Sequence, residues 1–288
     1  MDYALSIALQ VGSAIATLVI ISLGLAIIFG MMRIINFAHG EFLMLGGFAT
    51  ITATNAGLSL WVGMLVVAPL TVGLIGIVLE RLIIRHLYGR MIDTMLATWG
   101  ISLALIGGVT VIYGNTVTGV SAPLGSIEIG SYRAGAYDLF LMAVAAVLLV
   151  AGWLFLKRTR AGLIARGTMQ NAQMAAALGI NQSAVYAITF GAGAAVSGLA
   201  GGLLAPVSGV VPTIGIAYIA KAFITVISGG AALLTGTLSA SGLLGAINTT
   251  ATFLTSPVIG EVALLVAAIV LIRVLPEGIT GRFFRKSL

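Results

Sequence analysis

Residues 137–156 read YDLFLMAVAAVLLVAGWLFL, twenty positions with one charge, and Lys157-Arg158-Thr159-Arg160 follow at once. Twenty helical residues rise about 30 Å, the depth of a bilayer's hydrocarbon core. The run is continuously apolar and does not alternate. A membrane barrel would need alternating strands of about ten residues, so a spanning helix is the solution that satisfies every backbone N–H and C=O without water. Working outward, similar runs cover 5–30, 38–55, 58–84, 92–114, 183–205, 213–230, 231–254 and 258–275. The second, seventh and eighth of the nine are the shortest or the richest in Gly, Ser and Thr. Of the 288 residues 60% are hydrophobic and 8% charged, against about 25% charged in a soluble domain. The expected fold is an all-α integral membrane protein, a polytopic bundle of roughly nine transmembrane helices. Residues 1–288 are expected to form a single transmembrane domain, with no repeat, linker or second domain visible.

The net charge of +6 sits in the short connections between runs and not along a polar face. That is the positive-inside pattern of membrane proteins, not the basic groove that nucleic acid requires. Arg81, Arg85 and Arg90, then Lys157, Arg158, Arg160 and Arg166, then Arg273, Arg282, Arg285 and Lys286 mark three cytoplasmic regions. Residues 115–136, with Glu128 and a single Arg133, face the other side. Nine spans place the N-terminus outside and the C-terminus inside. Met1-Asp2-Tyr3 lacks a basic n-region and no small-residue cleavage site closes the first run, so 5–30 is expected to be a mature helix and not a cleaved signal. With no Cys, disulfides and thiolate metal sites are excluded.

Three features carry chemistry. Asn36-Phe37-Ala38-His39-Gly40-Glu41 interrupts apolar sequence between the first two runs. A mid-bilayer carboxylate costs about 2.5 kcal/mol or more on insertion scales, so Glu41 must lie near an interface, be paired, or face water. Two roles are open to Asn36, His39 and Glu41: capping and bracing the start of a helix, or lining the solute route. The second feature is the Ala-rich stretch 169–178, a strong helix former closed by Gly179 at its C′ position. Met174, Ala177 and Leu178 share a face, and this helix either connects two spans or fits a groove on another protein. Third, Gly193, Ser197 and Gly201, and Ala194, Gly198 and Gly202, recur every four residues, a pattern that lets helices pack closely in lipid. Ser228, Gly229, Gly230, Thr235, Gly236 and Thr237 suggest broken or crowded helices, which often line solute sites. No P-loop, His-Glu-x-x-His or Gly-x-Ser-x-Gly motif occurs, so the chain is not expected to hydrolyse ATP or to hold a catalytic metal.

Residues 30–46, GMMRIINFAHGEFLMLG, resemble the N-terminal signature of the permeases of branched-chain amino acid and urea ABC importers. The resemblance continues through 96–103, 158–180 and Gly198-Leu199-Ala200-Gly201 and ends near Leu275-Pro276-Glu277-Gly278-Ile279. It is strongest to the first of the two permeases in such systems. It implies a transport subunit and not an enzyme, with no cofactor of its own, in the bacterial inner membrane. The implied partners are a homologous second permease, two cytoplasmic ATPases that use ATP, and a periplasmic solute-binding protein. It also implies that Arg166, Met169, Gln170, Asn171, Met174, Ala176, Ala177, Leu178 and Gly179 belong to the helix that couples to the ATPases, and that Asn36, Phe37, His39, Gly40, Glu41 and Asn248 belong to the family pattern. Thr168-Met169-Gln170-Asn171, 96–103 and Gly236-Thr237 lean toward the urea and short-chain amide branch, whereas Thr249 and Pro276-Glu277-Gly278 depart from it. The pathway's few charges suit a neutral or zwitterionic solute. A stand-alone channel or secondary carrier is the competing class, with Glu41, Glu261 and Lys221 as its ionisable candidates.

Overall fold

A computed structural model describes residues 2–129, 132–230 and 232–283; Arg285 and Lys286 lie outside the described residues. All nine apolar runs are helical, and their ends follow from local chemistry. α1 (Asp2–Met32) stops at Arg33, whose φ of +53° cannot continue a helix. α2 (His39–Asn55) ends before Gly57, at φ +91°. The Ser59 hydroxyl caps α3 (Leu60–Val62), which passes through a π turn at Gly63–Val67 into α4 (Ala68–Leu82). A 3-10 turn at Ile84–Leu87 leads to α5 (Met91–Tyr113). β1 (Ser126–Ile129) and β2 (Tyr132–Gly135) pair antiparallel in the 115–136 connection, and Thr118 forms an isolated antiparallel bridge with Val210, so the described residues are not all helical. α6 (Ala136–Arg158) contains the stretch quoted first.

The segment expected as one helix over 169–178 is two. α7 (Arg160–Gln170), capped by Thr159, ends where Asn171 leaves helical geometry, and α8 (Ala172–Ala177) begins. The Asn171 side chain accepts from Met174 N at 2.9 Å, an N-cap that outweighs the helix propensity of the flanking alanines. Asn181 caps α9 (Gln182–Ser208) in the same way. α10 (Ile214–Gly229), α11 (Leu233–Leu254), α12 (Pro257–Val274, capped by Ser256) and α13 (Gly278–Phe283) complete the order.

Six helical stretches are long and apolar enough to cross a membrane: Ile7–Met32, Leu60–Leu82, Met91–Tyr113, Ala136–Arg158, Gln182–Ser208 and Pro257–Gly281. The sharply bent pair α10 and α11, taken as one span, makes seven. The expected count of nine spans is thus not supported. With 17 and 16 residues, α2 and α10 fall short of the length required, and α11 is diluted by Thr235, Thr237, Ser239, Ser241, Thr249, Thr250 and Thr252. The chain is an α-helical, multi-pass membrane protein.

The helices divide into two compact units: Met1–Ser22, Ala122–Ala151 and Lys221–Leu288 in one, and Leu23–Ser121 and Gly152–Ala220 in the other. In the second, α2 and α4 pack against α9. Ile28, Phe42, Val72, Phe190 and Ala194 form a core there, with the Phe42 and Phe190 rings edge to face at 5.9 Å. In the first, Gly12 leaves room for Met142, Ser13 Oγ donates to Asp138 Oδ1 at 2.9 Å, and α11 packs against α12.

Candidate functional site

The break between α1 and α2 is built from side chains that replace lost backbone partners. Asn36 Oδ1 accepts from Ala38 N at 3.0 Å, and His39 N donates to Asn36 O. From α5, Thr98 Oγ1 accepts from Phe37 N at 3.1 Å, and one turn later Ser102 Oγ donates to Glu41 Oε1 at 3.0 Å. From α9, Ser197 Oγ lies 3.2 Å from His39 Nδ1 and donates to Gly193 O at 2.8 Å. Asn36, His39 and Glu41 are all at most 1% exposed. Gly40 is required because a Cβ there would overlap the carbonyl of Gly215, and Gly215 is required because a Cβ would sit 2.6 Å from Glu41 Oε2. Asn36 Nδ2 and Glu41 Oε2 have no hydrogen-bond partner among the described residues. Phe37 is half-buried. Asn248 is placed elsewhere, half-buried on α11, with its carbonyl against Gly260.

The small-residue stripe of α9 lies at the closest helix crossings of its unit. A Cβ on Gly201 would overlap the Leu43 carbonyl, and one on Gly198 would meet Val72 at 2.6 Å. Gly202 faces Thr50 and Ala68, Gly193 faces Ile28, and Ser197 stands beside Gly24. Backbones this close gain dispersion and Cα–H···O contacts that larger side chains would forbid.

On the expected coupling segment, Ala175 is buried, whereas Met174 and Leu178 are 58% and 77% exposed. Arg166, Gln170, Asn171, Ala176, Ala177 and Gly179 are exposed and Met169 is half-buried. Gly179 has φ +85°, which lets Ile180 N return to Ala175 O at 3.0 Å. The Gln182 side-chain amide donates to the Ala172 carbonyl, tying α8 to the head of α9. One turn along α9, Tyr186 meets Tyr88 edge to face at 5.0 Å, and the Tyr88 hydroxyl donates to Glu80, fully buried on α4. Burial, and next the bond to Glu80, push the Tyr88 phenol above its ordinary pKa.

In the other unit, Lys221 Nζ of α10 and Glu261 Oε1 of α12 pair at 2.6 Å. There too Thr280 Oγ1 donates to Gly229 O at 2.6 Å and accepts from Ala232 N at 3.1 Å, stitching the break between α10 and α11. Gly230 and Gly278, both at positive φ, touch at this point. Sequence reasoning missed Thr98, Ser102, Tyr88, Gly215 and Thr280 as site residues. Only the family-like stretch 96–103 hinted at the first two.

Long apolar helices, a buried polar break and glycine-mediated crossings define a polytopic helical membrane protein. Residues 7–275 match the family described as the permease component of branched-chain amino acid transport systems, and the chain belongs to that family. It is 28% identical over 287 residues to the high-affinity branched-chain amino acid transport system permease protein LivH of Escherichia coli, covering 93% of this chain and 92% of that one. It is 31% identical over 262 residues to BraD, the corresponding permease protein of Pseudomonas aeruginosa, with 82% and 81% covered. The probable branched-chain amino acid transport permease protein LivH of Methanocaldococcus jannaschii is 28% identical over 294 residues, with 93% and 90% covered. No solved structure gives a significant match. The lean toward urea and short-chain amides finds no support in these relatives, which are all named for branched-chain amino acids.

Proposed function

We propose that the chain is one membrane subunit of an ATP-driven ABC importer for a small neutral or zwitterionic solute, with branched-chain amino acids, named for its relatives, as the first candidates. The observation that carries this reading is α8. Its exposed Met174 and Leu178 form an apolar ridge, and the Gln182–Ala172 bond fastens it to α9, the helix against which α2 and α4 pack. A lever of this kind transmits force because packed helices switch between discrete arrangements. ATPase subunits grip the ridge and hydrolyse ATP, while this chain binds no cofactor. The full assembly contains a homologous second permease, two cytoplasmic ATPases and a periplasmic solute-binding protein that docks on the 115–136 connection. Residues 1–288 act as a single permease domain in the bacterial inner membrane, with the connections at 81–90 and 157–166 and the C-terminus on the cytoplasmic side. The Arg and Lys clusters near 81–90, 157–166 and 273–286 support this orientation. Burial of Asn36, His39 and Glu41 within their unit favours a bracing role over direct solute contact.

The competing class, a stand-alone channel or ion-coupled carrier, draws on the Lys221–Glu261 pair inside two helices. Against it, Glu261 stands only four positions into α12, about 6 Å from the helix end and not deep in the span. The deciding experiment reconstitutes the permeases in vesicles with and without ATPase subunits. ATP-dependent accumulation is expected; full-rate transport without the ATPases would overturn the reading.

A further inference from the structure

We propose that Tyr88 and Glu80 are positioning residues for ATP-coupled transport: their hydrogen bond holds the head of α9 in register, so that a push on α8 reaches the polar break at 36–41 and is not lost in sliding between helices. The proposal rests on the importer reading above and adds the residues that carry the motion inward.

Gln182, Tyr186 and Phe190 stand four positions apart and so share one face of α9. Gln182 holds the Ala172 carbonyl of α8, Tyr186 meets Tyr88 edge to face at 5.0 Å, and Phe190 meets Phe42 of α2 in the same way at 5.9 Å. The row covers about 12 Å of helix. It runs from the exposed α8 to the residue that follows Glu41, and all its members belong to one compact unit. Tyr88 also packs against the buried cluster that contains Ala38, Phe42 and Phe190. Ring contacts tolerate offset and tilt, so by themselves they fix no register along α9.

The middle of the row is different, because a hydrogen bond weakens steeply off its line. The Tyr88 hydroxyl donates to Glu80 Oε1 in the last turn of α4. Tyr88 itself follows the 3-10 turn Ile84–Leu87, whose Leu87 carbonyl accepts from Thr94 Oγ1 of α5 at 3.0 Å. The end of α4, the connection and the start of α5 are thereby tied together where α9 meets α8. Stability does not account for Glu80. It is fully buried within the Leu60–Leu82 span, and its Oε2 has no hydrogen-bond partner among the described residues. An apolar side chain of the same size would avoid that cost. An ionisable group inside a span at such a cost points to a task other than holding the fold.

The test uses the complete transporter in vesicles with binding protein and L-leucine. It reads ATP hydrolysed per L-leucine accumulated, together with the thermal transition of the purified complex. Tyr88→Phe keeps the ring against Tyr186 and removes the hydroxyl. The ratio is expected to rise about fivefold, the factor that one ordinary hydrogen bond puts on a two-state equilibrium. Glu80→Gln keeps an acceptor for Tyr88 and should hold the ratio near wild type. Glu80→Met combined with Tyr88→Phe removes both polar partners at little change of size, so its transition should not fall, while its ratio rises as in Tyr88→Phe. A wild-type ratio in Tyr88→Phe or in the double variant would overturn the proposal, and so would a raised ratio in Glu80→Gln. If Tyr88→Phe fails to assemble, the double variant decides; failure of both makes the pair a fold brace and likewise overturns it. Failure of the importer reading looks different: wild-type vesicles would not accumulate L-leucine with ATP at all.

Discussion

Ser102→Ala is the sharpest probe of the polar break, because it removes one oxygen and leaves the backbone of α5 untouched. Ser102 Oγ donates to Glu41 Oε1 at 3.0 Å, and Glu41 Oε2 already lacks a hydrogen-bond partner among the described residues. The variant therefore leaves a buried carboxyl group without this donor. A buried acceptor deprived of its partner costs about 1–3 kcal/mol. With about 2–4 °C of melting temperature per kcal/mol for chains of this size, a loss near the middle of that range lowers the transition by about 4–8 °C. The assay is thermal unfolding of the purified permease in detergent, paired with uptake in vesicles at a temperature well below the transition. If the cluster is a brace, stability falls and uptake per folded transporter stays close to wild type. An unshifted transition would refute the hydrogen-bond argument. Abolished uptake with an unshifted transition would return Glu41 to the solute route.

Ala177→Glu places a charge on the exposed apolar ridge of α8, on the face of Met174 and Leu178; ATPase co-purification and transport are expected to drop while the permease accumulates normally, and unchanged co-purification would reduce α8 to a connector. Thr280→Val removes both hydrogen bonds at the α10–α11 break and Thr280→Ser keeps them; amide exchange at Ala232 should rise in the first variant only, and equal exchange in both would argue against the stitch. Gly201→Ala drives a Cβ into the Leu43 carbonyl, and overpacking of about 1–3 kcal/mol should show as a lower melting temperature. The Tyr88 phenol is held above its ordinary pKa in the fold by burial and then by Glu80, so the unfolded chain releases that proton first as pH climbs past about 10. Stability should then decline with rising alkalinity, and Tyr88→Phe should flatten that decline.

The helices were legible because each apolar run is continuous and long, and lipid leaves few alternatives. Residues 137–156 illustrate this: they lie within α6, which the structure extends to Ala136–Arg158. Which runs are spans was less legible, since α2 and α10 form good helices that are short, and counting runs treats every helix alike. By propensity alone, Asn171 is one more residue of an Ala-rich helix. Its capping bond to Met174 is local, but propensity summed over the window hides it. The break at Asn36–Glu41 was visible as polar residues in apolar sequence; its partners were not. Thr98 and Ser102 are ordinary helical residues until tertiary packing turns their face toward Phe37 and Glu41. Lys221 and Glu261, forty positions apart, were each noticeable as a charge in an apolar run, and only the fold brings them to 2.6 Å.

The stitch by Thr280 bears on how the polypeptide is made. Residue 280 emerges from the ribosome after α10, α11 and α12, yet it closes a corner between two helices synthesised some fifty positions earlier. Insertion of α10 and α11 must therefore precede completion of their junction. A chain stopped prematurely just beyond α12 would hold its greasy segments and still leave a carbonyl and an amide at that corner unsealed, a recognisable flaw for membrane quality-control proteases.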